Sequence, residues 1–444
     1  MYSEIEALAE GLTEKFVAIR RDFHKYAESG WFEMRTASLI ARRLTDMGFE
    51  VLTGSNVCLA ESRMGLPDED ELEEHYVRAK EQGADIQFLA RVKGGFTGVL
   101  GVLRCGEGPT VALRFDIDAL GLNEDKTADH RPFKEGFSSV NPGMMHACGH
   151  DGHAAIGLGV AEVLMAVKDE LRGTVKIIFQ PAEEGVRGAK SIVDKGHLDG
   201  VDYVLACHIT GRSTQEDRVS DTTAGCGGSL ATSKMDAFFH GKSAHAGGSP
   251  EDGRNALAAA GTALQNLLAI PRNSASDTRV NVGTLQGGSG RNVIPEFAKM
   301  ELEVRGKTTA GNIYMEQWAQ RIIRASAEMH DCTYEVKKMG EAFLMESDLP
   351  LMERIAKVCR ENLKTVRIHP QLRRESTGSE DFSYMMKRVQ DQGGQASMLR
   401  ILTDTAAVAH NSRFDFNDRD ALPKAVKVLS AVVCDLLSEG PVKN

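Results

Sequence analysis

The chain has no uninterrupted apolar run near the about 18–20 residues needed to cross a hydrocarbon layer, so no membrane-spanning helix is expected. A surplus of basic residues is missing too. Lys and Arg number 53 against 63 Asp and Glu, and the formal net charge of −10 argues against nucleic acid as a partner. The N-terminal stretch from Met1 to Ile19 mixes acids with apolar residues and holds no signal-peptide core, which makes the cytoplasm the expected compartment. The eight cysteines, at 58, 105, 148, 207, 226, 332, 359 and 434, follow no framework spacing. That pattern suits reduced thiols, seven of them expected as small core residues. Internal repeats and low-complexity tracts are also lacking.

What remains is the composition of a soluble globular enzyme, with 42% hydrophobic and 26% charged residues over 444 positions. That length exceeds what one core fills, so a second domain is expected. Helical spacing is read over residues 4–22, Thr36–Met47 and 67–90, the last opening on the acids Asp68 to Glu71. Apolar runs typical of strands follow at Thr97–Leu103, Thr110–Phe115, Val175–Phe179 and Tyr203–His208. With helices between several of them, they predict an α/β layer around a central sheet. A glycine-rich joint at 224–228 opens a different pattern. Strands at Arg279–Leu285 and Ala298–Arg305 alternate in polarity, with helices at Asn255–Ile270 and Ile313–Met329, which predicts an inserted α+β unit over 224–340. The α/β pattern returns through Leu349–Leu363, Phe382–Val389, Ala396–Leu402 and Ala421–Leu437, so residues 1–223 and 341–444 form one expected domain.

Chemistry concentrates at His146-Ala-Cys148-Gly-His150-Asp-Gly-His153, a turn just before a helical run. Imidazoles and a thiolate at such spacing suit divalent transition metals. The positive end of the following helix is expected to favour the Cys148 thiolate. Several later strands end in polar motifs: Asp116-Ile-Asp118, Pro181-Ala-Glu183-Glu184-Gly185 and Cys207-His208. Ligand sites in α/β sheets gather at carboxyl strand ends, so these motifs are expected to share one crevice.

Taken with Ser243-Ala-His245, Gly378-Ser-Glu-Asp381 and His410, these motifs resemble the M20 family of metallopeptidases and amidohydrolases, in the branch of aminoacylases and auxin-conjugate hydrolases. The likeness covers essentially the whole chain. Within the branch, His24-Lys-Tyr-Ala-Glu28-Ser-Gly-Trp31, Ala60-Glu-Ser-Arg63-Met-Gly-Leu-Pro67 and Gly94-Gly-Phe-Thr-Gly98 resemble the A-type p-aminobenzoyl-glutamate hydrolases, which carry an insertion around residues 56–95.

That resemblance implies two divalent cations, Mn favoured over Zn or Co, held by Cys148, His150, Glu184, His208 and His410. It implies Glu183 as general base, Asp118 as the orienting carboxylate, and His245 as a residue of the inserted domain that serves the site of a partner subunit. Asn292, Arg305 and Gly378 are implied in substrate binding, and His146 and His153 stand behind the ligands or at the helix cap. The implied reaction is hydrolysis of p-aminobenzoyl-glutamate. The alternative within the class is a broader deacylase of aromatic N-acyl amino acids; outside it stands a silent supporting subunit. The implied partner is a paralogous B subunit or a second copy, joined through the inserted lid domain.

Overall fold

The computed structural model describes residues 1–376 and 378–438. In chain order its strands are β1 (Glu50–Thr53), β2 (Val99–Arg104), β3 (Thr110–Asp116), β4 (Thr174–Gln180), β5 (Tyr203–Gly211), β6 (Gly225–Gly227), β7 (Ala231–His240), β8 (Thr278–Gly287), β9 (Phe297–Gly306), β10 (Thr333–Ala342), β11 (Arg373–Glu375) and β12 (Gln395–Thr403). Six of them build a central mixed sheet in the order β1-β2-β4-β3-β5-β12. Within it β4, β3, β5 and β12 run parallel, while β2 runs antiparallel to β1 and β4. The α/β class expected from the sequence is the class observed.

Both faces of this sheet are covered, which is why its parallel strands read as continuous apolar runs. Val111, Leu113 and Phe115 point into a large core under the helices Thr13–Lys25, His150–Ala166 and Asp418–Leu436. Ala112 points the other way, toward a smaller core under Ala189–Asp194 and Phe382–Asp391. The helix His150–Ala166 crosses the sheet at close range through Gly157. A Cβ there would lie 2.6 Å from the Phe115 ring and 2.7 Å from the Phe179 ring, both fully buried. Gly157→Ala is therefore expected to cost about 1–3 kcal/mol in a urea titration, since neither ring has room to withdraw. A variant as stable as the parent would show that the rings give way freely.

The segment between β5 and β12 builds a second, antiparallel sheet in the order β10-β7-β9-β8. It packs the helices Ala256–Leu268 and Thr309–Met329 over a core of its own, including Met235, Phe239, Leu267, Met300 and Ile323. A short parallel pair, β6 with β11, lies at its junction with the main body.

Two helical expectations are corrected. The 67–90 stretch is a helix over Glu69–Glu81 and a separate turn over Ile86–Leu89, because Gly83 turns left-handed (φ 87°) and Asp85 caps the second piece. The opening helix likewise breaks at Leu12 into Tyr2–Gly11 and Thr13–Lys25. Strands β1, β6 and β11, of four, three and three residues, are too short to leave a periodicity in the sequence.

Candidate metal centre

The polar motifs do converge at the carboxyl ends of the parallel strands. Asp116 and Gln180 are the last residues of β3 and β4, His208 lies in β5, and His150 opens its helix after a left-handed Gly149 (φ 89°). Cys148 Sγ stands 3.4 Å from His208 Nε2, and His410 Nε2 stands 3.5 Å from Glu184 Oε1. Among the groups whose donor atoms lie within 4.8 Å of one another, two hold the sequence-expected ligands alone, Cys148–His150–His208 and Cys148–Glu184–His410. They share the thiol.

These residues fit a pair of divalent cations on their own geometry. His150 turns Nδ1 toward Asp118 Oδ1 at 3.3 Å, and His208 donates Nδ1–H to the Ile209 carbonyl at 2.7 Å. Each thus keeps Nε2 for the cavity, the arrangement that outer partners impose on metal-binding imidazoles. His150 Nε2 and Glu184 Oε1 are buried and find no hydrogen-bond partner among the described residues. Such orphaned buried atoms are costly in an interior. Divalent cations held by these residues would remove the cost.

Several side chains hold the donors in place. Asp118 accepts the Glu183 N–H through Oδ1 at 3.0 Å and the Glu184 N–H through Oδ2 at 2.9 Å, so it clamps both carboxylate residues and His150 at once. Glu33 accepts the Ala182 N–H at 2.8 Å, fixing the loop where Ala182 takes a left-handed φ of 51°. Burial and the nearby Asp118 charge push Glu33 up to about 8. His153 has both nitrogens engaged, Nδ1 with Asp116 and Nε2 with the Ile209 N–H at 2.9 Å. It therefore braces the ligands from behind. His146 is fully buried, and neither of its nitrogens has a hydrogen-bond partner among the described residues.

The field at the centre is set by burial. It raises the Cys148 thiol to about 12, with the charge of Glu184 adding to the effect. This corrects the expectation of a thiolate favoured by the helix end. Cys148 precedes the capping Gly149, and desolvation outweighs the dipole unless a cation compensates the charge. Burial, then the charges of Glu380 and Glu184, hold Glu183 well above the usual carboxylate range. Glu184 is pushed up to about 7 by burial against the opposing pull of His150. His208 is held well below its ordinary value by burial first and then by the neighbouring His153 and Arg400, so its ring stays neutral with Nε2 open.

Behind the His150 helix lies a buried ionic cluster of Arg20, His24, Asp151 and Glu124. Burial opposes the His24 charge, yet hydrogen bonds to Asp151 at 2.8 Å and Glu124 at 3.0 Å raise it from 6.5 to about 9. Because the folded value is the higher one, the stabilisation is complete below pH 6.5 and is lost as pH rises through about 9. The rise is worth about 3 kcal/mol. Chemical denaturation of His24→Gln and the parent is expected to show its widest gap at pH 6 and a closing gap above pH 9. A gap that does not change with pH would mean that His24 contributes by packing alone.

Of the other residues singled out in the sequence, Arg305 and Gly378 line the same cavity of about 650 Å³ as Cys148, Glu183, Glu184, His208 and His410. Arg305 forks onto Glu303 at 2.9 and 3.1 Å. His245 and Asn292 do not line it. They sit side by side on the second sheet's loops, bridged through Val293, with His245 Nδ1 accepting the Gly247 and Gly248 N–H groups. Sequence reasoning missed Glu33 and Arg114. The signal for Arg114 was a lone charge inside the apolar run of β3. Its buried guanidinium binds Asp116 at 2.7 Å, Gln180 at 2.8 Å, Glu380 at 2.9 Å and Asp381 at 3.1 Å.

Residues 112–435 match the family described as "Peptidase family M20/M25/M40". The chain is 47% identical to an indole-3-acetyl-aspartic acid hydrolase of Enterobacter agglomerans, over 93% of each protein. It is 45% identical to the A-type chain of the p-aminobenzoyl-glutamate hydrolase of Escherichia coli, over 96% of this protein and 97% of that one. Among solved structures, an aminobenzoyl-glutamate utilization protein of Klebsiella pneumoniae superposes with a TM-score of 0.84 at 38% identity, over 98% and 99% of the two chains. The chain therefore belongs to peptidase family M20/M25/M40, as a metal-dependent amidohydrolase.

Proposed function

We propose that the protein hydrolyses p-aminobenzoyl-glutamate to p-aminobenzoate and glutamate. One observation carries the reading. Two relatives at 45% and 47% identity, aligned over nearly the whole chain, are both named for conjugates of an aromatic acid with an acidic amino acid. The second reading, cleavage of indole-3-acetyl-aspartate or a wider range of aromatic N-acyl amino acids, is favoured by the 47% relative alone.

In this reading Cys148, His150, Glu184, His208 and His410 hold two divalent cations, with Mn the first to try and Zn or Co as alternatives. When bound, they supply Lewis acidity at the scissile carbonyl and make water more acidic. Glu183 takes the proton of the attacking water and returns it to the leaving nitrogen, which departs as the free amine. Asp118 keeps His150 and the Glu183 backbone in register. Arg305 and Gly378 contact substrate within this cavity, while Asn292 and His245, both outside it, serve substrate binding and catalysis at the site of a partner. Residues 1–223 with 341–444 form the catalytic domain and 224–340 the dimerisation lid, joined to a second copy or a paralogous B subunit. Eight unpaired cysteines support a reducing cytoplasm. An intact Glu183 with a full donor set speaks against a silent supporting role.

The test is release of p-aminobenzoate from p-aminobenzoyl-glutamate by the purified chain with added Mn, alone and with the paralogous partner. Release that stops on chelation supports the reading. Hydrolysis of indole-3-acetyl-aspartate or hippurate without release of p-aminobenzoate would overturn it in favour of the second.

A further inference from the structure

Five cationic side chains line the cavity at the metal centre: Arg212, Lys234, Arg305, Arg374 and Arg400. Three of them are occupied by the protein's own carboxylates. Arg212 faces Asp221 at 3.3 Å, Arg305 forks onto Glu303, and Arg374 binds Asp217. Lys234 and Arg400 differ, since neither forms an ion pair among the described residues. Arg400 is half-buried, and among the described residues its side chain hydrogen-bonds to neutral groups, Ser376 Oγ at 3.3 Å and the Cys226 thiol. A charge withdrawn from water with no counter-charge is unfavourable, and a planar guanidinium is suited to a carboxylate that binds through two parallel hydrogen bonds.

We propose that Arg400 reads the side-chain carboxylate of the substrate's acidic amino acid. The proposal rests on the function proposed above, which gives the substrate two carboxylates. Position separates the two open cations. Lys234, on β7, faces Glu303 across the sheet and next Glu183 and Glu184, and its charge reaches His410, whereas the charge of Arg400 reaches His208 at the other side of the centre. The α-carboxylate, one carbon from the scissile nitrogen, belongs at that end. Arg400 stands opposite His208 in the β5–β12 register and reaches past it to Ser376, just beyond β11. It is therefore placed for a carboxylate carried further along the side chain. Its strand, β12, is the edge strand of the central sheet and is paired with β5 along its whole length, so Arg400 stands on a strand and not on a loop.

The test compares kcat/KM for p-aminobenzoyl-glutamate and p-aminobenzoyl-glutamine in the parent, Arg400→Met and Arg400→Lys, with metal content measured for each. The glutamate-to-glutamine ratio is expected to fall about 100-fold in Arg400→Met and to recover in part in Arg400→Lys. An unchanged ratio, or equal losses on both conjugates, overturns the assignment; so does loss of metal that accounts for the fall. If the parent ignores p-aminobenzoyl conjugates but cleaves indole-3-acetyl-aspartate, the same ratio is read on its aspartate and asparagine forms. In that case the substrate reading fails while Arg400 is still tested. A parent indifferent to the side-chain charge overturns the Arg400 assignment and leaves the hydrolase intact.

Discussion

Glu183→Gln is expected to lower kcat for amide cleavage by about 10²–10⁴-fold while the bound metal per chain stays constant. The two halves of this result come from different atoms. Glu183 lies beside the donor sets, its Oε2 4.0 Å from His150 Nε2, and its backbone is held by Asp118. Gln keeps that backbone hydrogen bond and nearly the same volume but cannot accept a proton. Glu184 lies 3.5 Å from His410 through an oxygen that is otherwise orphaned, so Glu184→Gln should lose metal as well as activity. Steady-state kinetics with metal analysis on both variants separates the roles. If Glu183→Gln turns over at the parent rate, Glu183 is not the base. If it loses metal as Glu184→Gln does, the division of labour between the adjacent carboxylates is wrong.

The legible part of this fold is the part that repeats. Parallel strands covered on both faces are written as apolar runs, and alternation in β8 and β9 announces a sheet with one open face, so both layers could be read from the sequence. Cys148 and His150 were visible because they stand at a helix start, and Glu184 and His208 because polar motifs interrupt the apolar runs around β4 and β5; His410, in a turn between β12 and the last helix, was legible only through the family resemblance. Illegible were the contacts made across the chain. Glu33 looks like an ordinary acid at the start of a helix, yet it fixes the loop that carries Glu183, from 149 residues away. His24 and Asp151 meet over 127 residues. No local pattern encodes such pairs. Charge on Cys148 was misjudged for a related reason, since helix position is local while desolvation depends on everything packed around the thiol. Arg400 carries the same local signal as Arg114, a lone charge inside an apolar strand, but only its lack of an ionic partner among the described residues separates it from a paired arginine.

Arg114→Met is expected to destabilise the protein by about 3–5 kcal/mol at pH 7, the range for removing one partner of a buried ionic group. The arginine is fully buried and is the shared cation for Asp116, Glu380 and Asp381. Met fills much of the volume, so the loss measures unpaired charge more than a cavity. Burial works against the charge of Asp116, yet His150, His153 and Arg114 hold it well below its ordinary value. A carboxylate lowered in the folded state stabilises above its unfolded value of 3.8 and loses that contribution as pH falls through the folded value. The gap between parent and variant should therefore narrow as the solution is made acid. Asp381 is raised to about 7 by burial despite Arg114, so it is the carboxylate most ready to take up a proton in the variant. Arg114→Met combined with Asp381→Asn should then recover part of the loss. If the double variant is no more stable than the single one, uncompensated charge at Asp381 is not the cause. The penalty would then lie in the broken hydrogen bonds to Gln180 and Asp116, which brace the ends of β3 and β4 beneath the metal centre.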